Sequence, residues 1–204
     1  MRLFILGATG LTGRLLVGQA LAQGHEITAF VRAPGKLAPA REGLTVRRGD
    51  PRDSAALGAA LGGHDAVLSA LGPPGPAPST LLRESARGIV AAMQAVAVSR
   101  LLVVSAAVLF EDAGAFVALM RRTLLRNVAE DNAAMEREIL ASDLDWTIAR
   151  PPRLTNGRMT GSYRVTEDHL PRRGFLLSRA DVAHFLLDAL ARGAHRRKIV
   201  GLAR

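Results

Sequence analysis

The sequence predicts an α/β fold with a doubly wound parallel sheet. Three observations carry the expectation. Short apolar, β-branched runs alternate with longer segments of helical spacing. The first run, Arg2–Leu6, opens directly into a glycine-rich turn and then a helical pattern. The 204-residue length is room for one domain. Right-handed crossovers between successive strands then place helices on both faces of the sheet.

Each element follows from its own residues. Arg2–Leu6 ends in Gly7 and suits a buried strand. Thr12–Gln23 sets Leu15, Leu16, Gln19 and Ala20 at helical spacing and stops at Gly24, a good C-cap. Glu26–Val31 is the second strand, and Leu44–Arg48 the third, closed by Gly49, Asp50 and Pro51. Ser54–Leu61 is a short helix and Asp65–Ala70 the fourth strand. Gly72–Pro78 is too rich in Pro and Gly for regular structure and is a loop. Ser79–Ser99 reads as a long helix and Leu101–Ser105 as the fifth strand. A mixed stretch runs through Phe110 and Phe116. Leu124–Ser142 reads as another long helix, and Asp145–Ala149 as a sixth strand stopped by Pro151 and Pro152. Residues 151–177 loosen the alternation and read as a substrate-side excursion from a single domain spanning 1–204. Ser178–Arg192 is helical, with Ser178 and Asp181 in capping-box positions. Lys198–Leu202 is the last strand. The chain carries no linker, repeat or low-complexity segment.

Composition excludes several function classes. Cysteine is absent, which rules out disulfides, Cys-ligated zinc and thiol catalysis. No run approaches the length of a membrane span, and no secretory signal is visible, so a cytoplasmic protein with no membrane partner is expected. The net charge of +9 comes almost wholly from arginine, since Lys36 and Lys198 are the only lysines. Those arginines are scattered and aromatics are 4%, so no nucleic-acid partner is expected. The five histidines (25, 64, 169, 184 and 195) lack metal-ligand spacing, and no metal is expected. His184 reads as a packed or capped helical residue, and His169 as a border of an open pocket. A monomer is expected.

The most informative segment is Gly7-Ala-Thr-Gly-Leu-Thr-Gly13. Glycines spaced G-x-x-G-x-x-G between a strand and a helix allow a tight turn and a close approach of backbone N–H groups to a pyrophosphate. The helix that starts near Leu11 turns its positive end to that anion. Gly7, Thr9, Gly10, Leu11, Thr12 and Gly13 are therefore candidate contacts of a dinucleotide cofactor in a Rossmann fold. No Lys-Ser/Thr pair follows, so this is not a Walker loop. The end of strand two faces the adenosine ribose in such folds. An acid there would bind the free 2′-hydroxyl, but Arg32 stands there and favours a 2′-phosphate, with Lys36 as a second cation. Asp50, beside Pro51, has two readings: it accepts from the adenine amino group or it caps the helix at Ser54. Leu71 and Gly72 end strand four and line the cofactor.

Together with Val31-Arg32, Gly49-Asp50 and Gly88–Met93, that turn resembles the atypical short-chain dehydrogenase/reductases. Val104-Ser-Ala106, Arg150-Pro-Pro152, Thr160–Thr166 and Ser178–Ala183 add to the likeness. Within that group the chain is most similar to the flavin reductase/biliverdin-IXβ reductase type, with NmrA-like NAD(P)-binding proteins as cousins. The resemblance covers almost the whole chain. It implies NADPH (NADP+) as cofactor, held at the glycine turn, Arg32 and Asp50. It implies a nicotinamide near Leu71, Gly72, Ser105, Pro152, Arg153 and Leu154. The relatives carry His after the Pro-Pro pair and on the preceding helix, where this chain has Arg153 and Asn132.

The chemistry narrows further. Conventional short-chain dehydrogenases use a Tyr and a Lys four residues on. The one tyrosine here, Tyr163, is followed at that spacing by Glu167. Hydride transfer to a flavin, tetrapyrrole or quinone needs less acid help, because the new charge spreads over the conjugated ring. Ser105 is the candidate catalytic residue, bonded to a substrate carbonyl or to the nicotinamide amide. Asn132 is a candidate for a ribose hydroxyl, and Arg153 for a substrate carboxylate or phosphate. Leu109, Phe110 and Phe116, with Val108, are candidate walls of the substrate side. The expected function is an NADPH-dependent reductase of a small conjugated acceptor. The alternative is a non-catalytic NADP(H) sensor acting on a protein partner.

Overall fold

The computed structural model describes residues 1–37, 41–73, 75 and 77–204, without the side chains of 113, 115 and 116. Pro74 and Pro76 of the expected loop lie outside the described residues. The first strands are β1 (Arg2–Leu6), β2 (Glu26–Val31), β3 (Leu44–Arg48), β4 (Ala66–Ser69) and β5 (Arg100–Val104). Then follow β6 (Asp145–Arg150), β7 (Arg153–Thr155), β8 (Arg164–Glu167), β9 (Leu176–Ser178) and β10 (Lys198–Ala203). The helices are α1 (Leu11–Ala22), α2 (Ser54–Leu61), α3 (Leu81–Ala95), α4 (Ala115–Arg122), α5 (Arg126–Leu140) and α6 (Arg179–Ala191).

Eight strands form one sheet in the order β3-β2-β1-β4-β5-β6-β10-β8. Every neighbouring pair is parallel except β10 with β8. This is the doubly wound Rossmann fold, and its strand order reverses between β1 and β4. A ligand crevice belongs outside the carboxyl ends of those two strands.

Side-chain alternation divides the core. Leu3 and Ile5 point to one face with Leu16, Val17, Phe185 and Leu186 of α1 and α6. Phe4 and Leu6 point to the other with Leu57, Leu61, Leu82, Ile89, Met93 and Ile139 of α2, α3 and α5. Each fully buried Leu, Ile or Phe contributes about 2 kcal/mol. A polar residue also joins two helices of this second layer. Both carboxylate oxygens of Asp131, on α5, accept from the backbone N–H groups of Leu82 and Arg83 at 3.2 Å. Asp131 thereby caps α3, whose own N-cap Thr80 makes no side-chain cap bond.

Two expectations are corrected here. The helix expected over Leu124–Ser142 is α5, trimmed to Arg126–Leu140, but a further helix precedes it. The mixed stretch before it holds α4, which closes at Thr123, and α5 begins only at Arg126. Thr123 leaves helical dihedrals (φ −118°, ψ −99°), and its hydroxyl donates to the Leu119 carbonyl at 2.9 Å. Residues 151–177 are also more regular than expected. They supply the antiparallel edge strand β8 and, through β7 and β9, part of a small parallel sheet. These strands are three or four residues long, too short for an apolar period to mark them.

α6 lies between α1, the sheet and the excursion, and nine of its thirteen residues are buried. Ser178 Oγ accepts from the Asp181 N–H at 2.9 Å, as the capping pattern requires. Burial would raise the Asp181 carboxyl. The N–H groups of Thr160 and Gly161 (2.7 and 3.0 Å), with the Ser178 and Thr160 hydroxyls, hold it below the usual carboxylate range. The neighbouring Tyr163 hydroxyl shares a 2.8 Å hydrogen bond with His184 Nδ1. Burial, then the charges of Asp188 and Asp181, push its phenol up to about 12.

Tyr163 is the only tyrosine, so phenolate absorbance reports it alone. The native protein should titrate near 12, and the urea-unfolded chain near 10. The raised value means the fold favours the neutral phenol. Stability is therefore whole below 10 and falls as pH rises toward 12. Tyr163→Phe should flatten that alkaline decline in equilibrium unfolding.

Candidate active site

The turn between β1 and α1 is built on contact distances that no side chain tolerates. Gly7 lies at φ +76°, and a Cβ there would sit 2.5 Å from the Ala70 carbonyl beyond β4. A Cβ on Gly13 would sit 2.0 Å from the Gly7 carbonyl. The two crevice strands are thus drawn together at the reversal point. Arg14 straps the turn from outside, donating through Nε to the Thr9 carbonyl at 3.0 Å and through Nη2 to the Lys36 carbonyl at 2.8 Å. The α1 N-cap, Gly10, offers no side-chain bond, and the first turn contains no acid. The leading N–H groups of α1 are therefore suited to an anionic ligand such as a pyrophosphate.

Arg32 is exposed at the end of β2 and lines a cleft of about 460 Å³ with Arg52, Pro78, Ser79, Thr80 and Leu81. Arg52 was not foreseen from the sequence. Its position two residues beyond Asp50, at the end of the neighbouring strand, was the available signal. The Asp50 carboxylate accepts from Arg52 Nε at 3.0 Å, from Nη2 at 2.7 Å and from the Arg52 backbone N–H at 3.0 Å. That pairing holds Asp50 near 2, with a smaller contribution from the Arg32 charge. Asp50 does not cap α2. Asp53 does, accepting from the Ala56 N–H at 3.0 Å. Pro51 is buried against Gly88 of α3. Lys36 lines another cleft, with Arg14, Leu37 and Arg41, whereas Arg52 lines the same cleft as Arg32.

At the carboxyl ends of β5 and β6 sits a buried polar network. The Ser105 hydroxyl donates to Glu136 Oε1 at 2.5 Å. Arg150 reaches both oxygens of Glu136, from Nε at 3.0 Å and from Nη2 at 2.5 Å, and stacks 4.7 Å from the centre of the Phe110 ring. Glu136 is only 3% exposed, and these partners satisfy both of its oxygens. Neither Glu136 nor Arg150 was among the sequence candidates. An acid on the apolar face of α5 was the visible clue. With its proton committed, Ser105 offers a ligand only lone pairs.

The remaining candidates fall in several places. Leu71 is half-buried, and Gly72 is exposed with open space where a Cβ would stand. Asn132 is buried, and its amide donates back to the Val128 carbonyl at 2.8 Å. Pro152 and Leu154 are partly buried, whereas Arg153 is exposed on β7. Phe110 and Val108 are buried, and the Phe116 side chain lies outside the described residues. Leu109 lines a cleft with Arg121, Arg122, Arg126, Ala129, Glu130 and Ala133. His169 is exposed and lies 3.3 Å from Asp112. No group of three or more potential metal-ligating side chains occurs among the described residues. No helix among them is long and apolar enough to cross a membrane.

A family described as NAD(P)H-binding matches residues 7–192. The chain belongs to that family. It is 28% identical over 207 residues to the uncharacterized protein YwnB of Bacillus subtilis, covering 96% of this chain and 95% of that one. A short-chain dehydrogenase/reductase of Veillonella parvula, solved in complex with NADP, superposes with TM-score 0.86 at 20% identity, covering 100% and 94% of the two chains. ChuY of Escherichia coli O157:H7, described as an anaerobillin reductase, superposes with TM-score 0.82 at 21% identity, covering 100% and 97%. Oxidoreductase-type Rossmann proteins thus share this fold along its whole length.

Breaking the buried network should be costly. Glu136→Ala leaves the Arg150 guanidinium without its carboxylate and should cost about 3–5 kcal/mol in urea unfolding. Glu136→Gln keeps the shape and should cost less.

Proposed function

We propose that this protein is an NADPH-dependent reductase that passes hydride to a flavin or a similar conjugated acceptor, such as a tetrapyrrole or quinone. The observation that carries this reading is the engagement of the single tyrosine. Tyr163 is bonded to His184, and its phenol is pushed up to about 12, so it is poorly suited to donate or accept a proton in carbonyl chemistry. The pyridine dinucleotide, when bound, supplies the hydride, and an acceptor whose ring delocalises the new charge takes its proton from water.

The chain's own residues then divide the remaining work. The first N–H groups of α1, from Leu11 to Gly13, hold the pyrophosphate, with Gly7, Thr9 and Gly10 shaping the turn. Arg32 and Arg52 flank the cleft suited to a 2′-phosphate. Asp50 orients Arg52 and, with Pro51, borders the adenine. Leu71, Gly72, Pro152, Arg153 and Leu154 line the nicotinamide half, and Asn132, its amide committed to Val128, backs it from α5. Ser105, held as an acceptor by Glu136, takes a hydrogen bond from an N–H donor such as the carboxamide, rather than giving one to a substrate carbonyl. Glu136 and Arg150 are positioning residues. The resemblance of the fold to ChuY, a reductase by description, adds weight to the acceptor class.

Two measurements test the reading. NADPH should bind at least about tenfold more tightly than NADH, the worth of one charge-assisted contact. Arg32→Ala and Arg52→Ala should each narrow that gap in calorimetric titrations. Loss of reduced-nicotinamide absorbance should then follow addition of FMN, riboflavin, a quinone or biliverdin. Tight NADPH binding with no turnover of any of them would favour the sensor alternative.

A further inference from the structure

We propose that the cleft where α4, α5 and the turn after β5 converge is a subsite for an oxyanion carried on a side arm of the acceptor, with Arg121 and Arg122 as its main ligands and Arg126 at its rim. This inference rests on the reductase reading, because it requires the acceptor's ring to lie at the carboxyl edge beside Ser105.

The geometry supplies the argument. Leu109 closes the short turn Ala107–Leu109, which begins two residues beyond Ser105, and its side chain lines this cleft of about 490 Å³. The floor is small and apolar, formed by Leu109, Ala129 and Ala133. That volume and lining suit part of a small organic ligand. Three guanidinium groups and one carboxylate border it, an excess of two positive charges. The carboxylate, Glu130, pairs with Arg126 at 2.8 Å across one helical turn. Neither Arg121 nor Arg122 has a carboxylate partner among the described residues. Both sit in the last turn of α4, where the helix dipole favours cations, and both line the cleft. Their forked donors match the oxygens of a phosphate monoester or a carboxylate. Arg153, the sequence candidate for such a contact, does not line this cleft.

An acceptor of the proposed class would thus place its flat ring over the β5–β6 edge and extend an acidic arm past Leu109 to α4. A phosphorylated flavin and a tetrapyrrole dicarboxylate both have this form. The ring decides whether hydride is accepted, and the arm decides affinity.

Matched pairs of probes separate arm from ring. FMN and riboflavin share one ring and differ by the phosphate. Biliverdin and its dimethyl ester share another and differ by carboxylate charge. Binding of each to the NADP+-saturated protein is measured by fluorescence quenching, alongside KM with NADPH. At least one charged probe should bind about tenfold or more tightly than its uncharged twin, and the pair that shows the gap identifies phosphate or carboxylate as the arm. In Arg121→Gln/Arg122→Gln, checked for folding by its thermal midpoint, the ratio should fall toward one. Raised salt should narrow it in the wild type. Equal binding within both pairs, or a gap that survives in the double variant, overturns the subsite. Turnover without any preference for the charged arm overturns this inference alone and leaves the reductase reading standing. NADPH binding with no turnover of any probe overturns the reductase reading, and the subsite with it.

Discussion

The candidate site depends on a close approach of backbone to backbone, at the point where strand order reverses. Gly7 presses against the end of β4, and Gly13 presses against Gly7. Because neither position has room for a Cβ, the first turn of α1 is brought down onto the carboxyl edge of the sheet. Its uncapped N–H groups then face the crevice. The rest of the candidate site takes its bearings from that edge. Arg32 and Arg52 follow from the ends of β2 and β3. Ser105 and Arg150 follow from the ends of β5 and β6.

The two halves of the crevice are stabilised by different means. Beyond β2 and β3 the charges are exposed, and Asp50 and Glu84 restrain Arg52 without desolvating it. Such pairs contribute little to stability and are more valuable as fixed geometry. At the other side Glu136 is buried, and it is tolerated because Arg150, Ser105 and the nearby Phe110 ring satisfy the charges. The outer side can therefore adapt to a ligand, while the inner side is rigid. A cofactor end that must only be held and a ring that must be aligned make those opposite demands.

Burial also explains why some plausible site residues are occupied elsewhere. Asn132 spends its amide on its own helix. Asp131, next to it, spends its carboxylate on the N-terminus of α3. Both are polar residues on a face that must pack against another helix, and an unpaired polar group there would be costly. Tyr163 and His184 satisfy each other in the same way where the excursion covers α6.

Much of this was legible in the residues alone. The glycine turn, the alternation of strands and helices, the Ser178 cap and the placing of Arg32 depend on local backbone preference and on periods of two or of about four residues. Each is written within a few positions of the chain. The helix α4, the three short strands of the excursion, the Asp50–Arg52 pairing and the Ser105–Glu136–Arg150 network were not legible. Glu136 lies 31 residues from Ser105 and 14 from Arg150, separations at which no periodicity relates one side chain to another. Packing around the sheet creates those contacts, and the cost of burying a charge without a partner then selects which of them form.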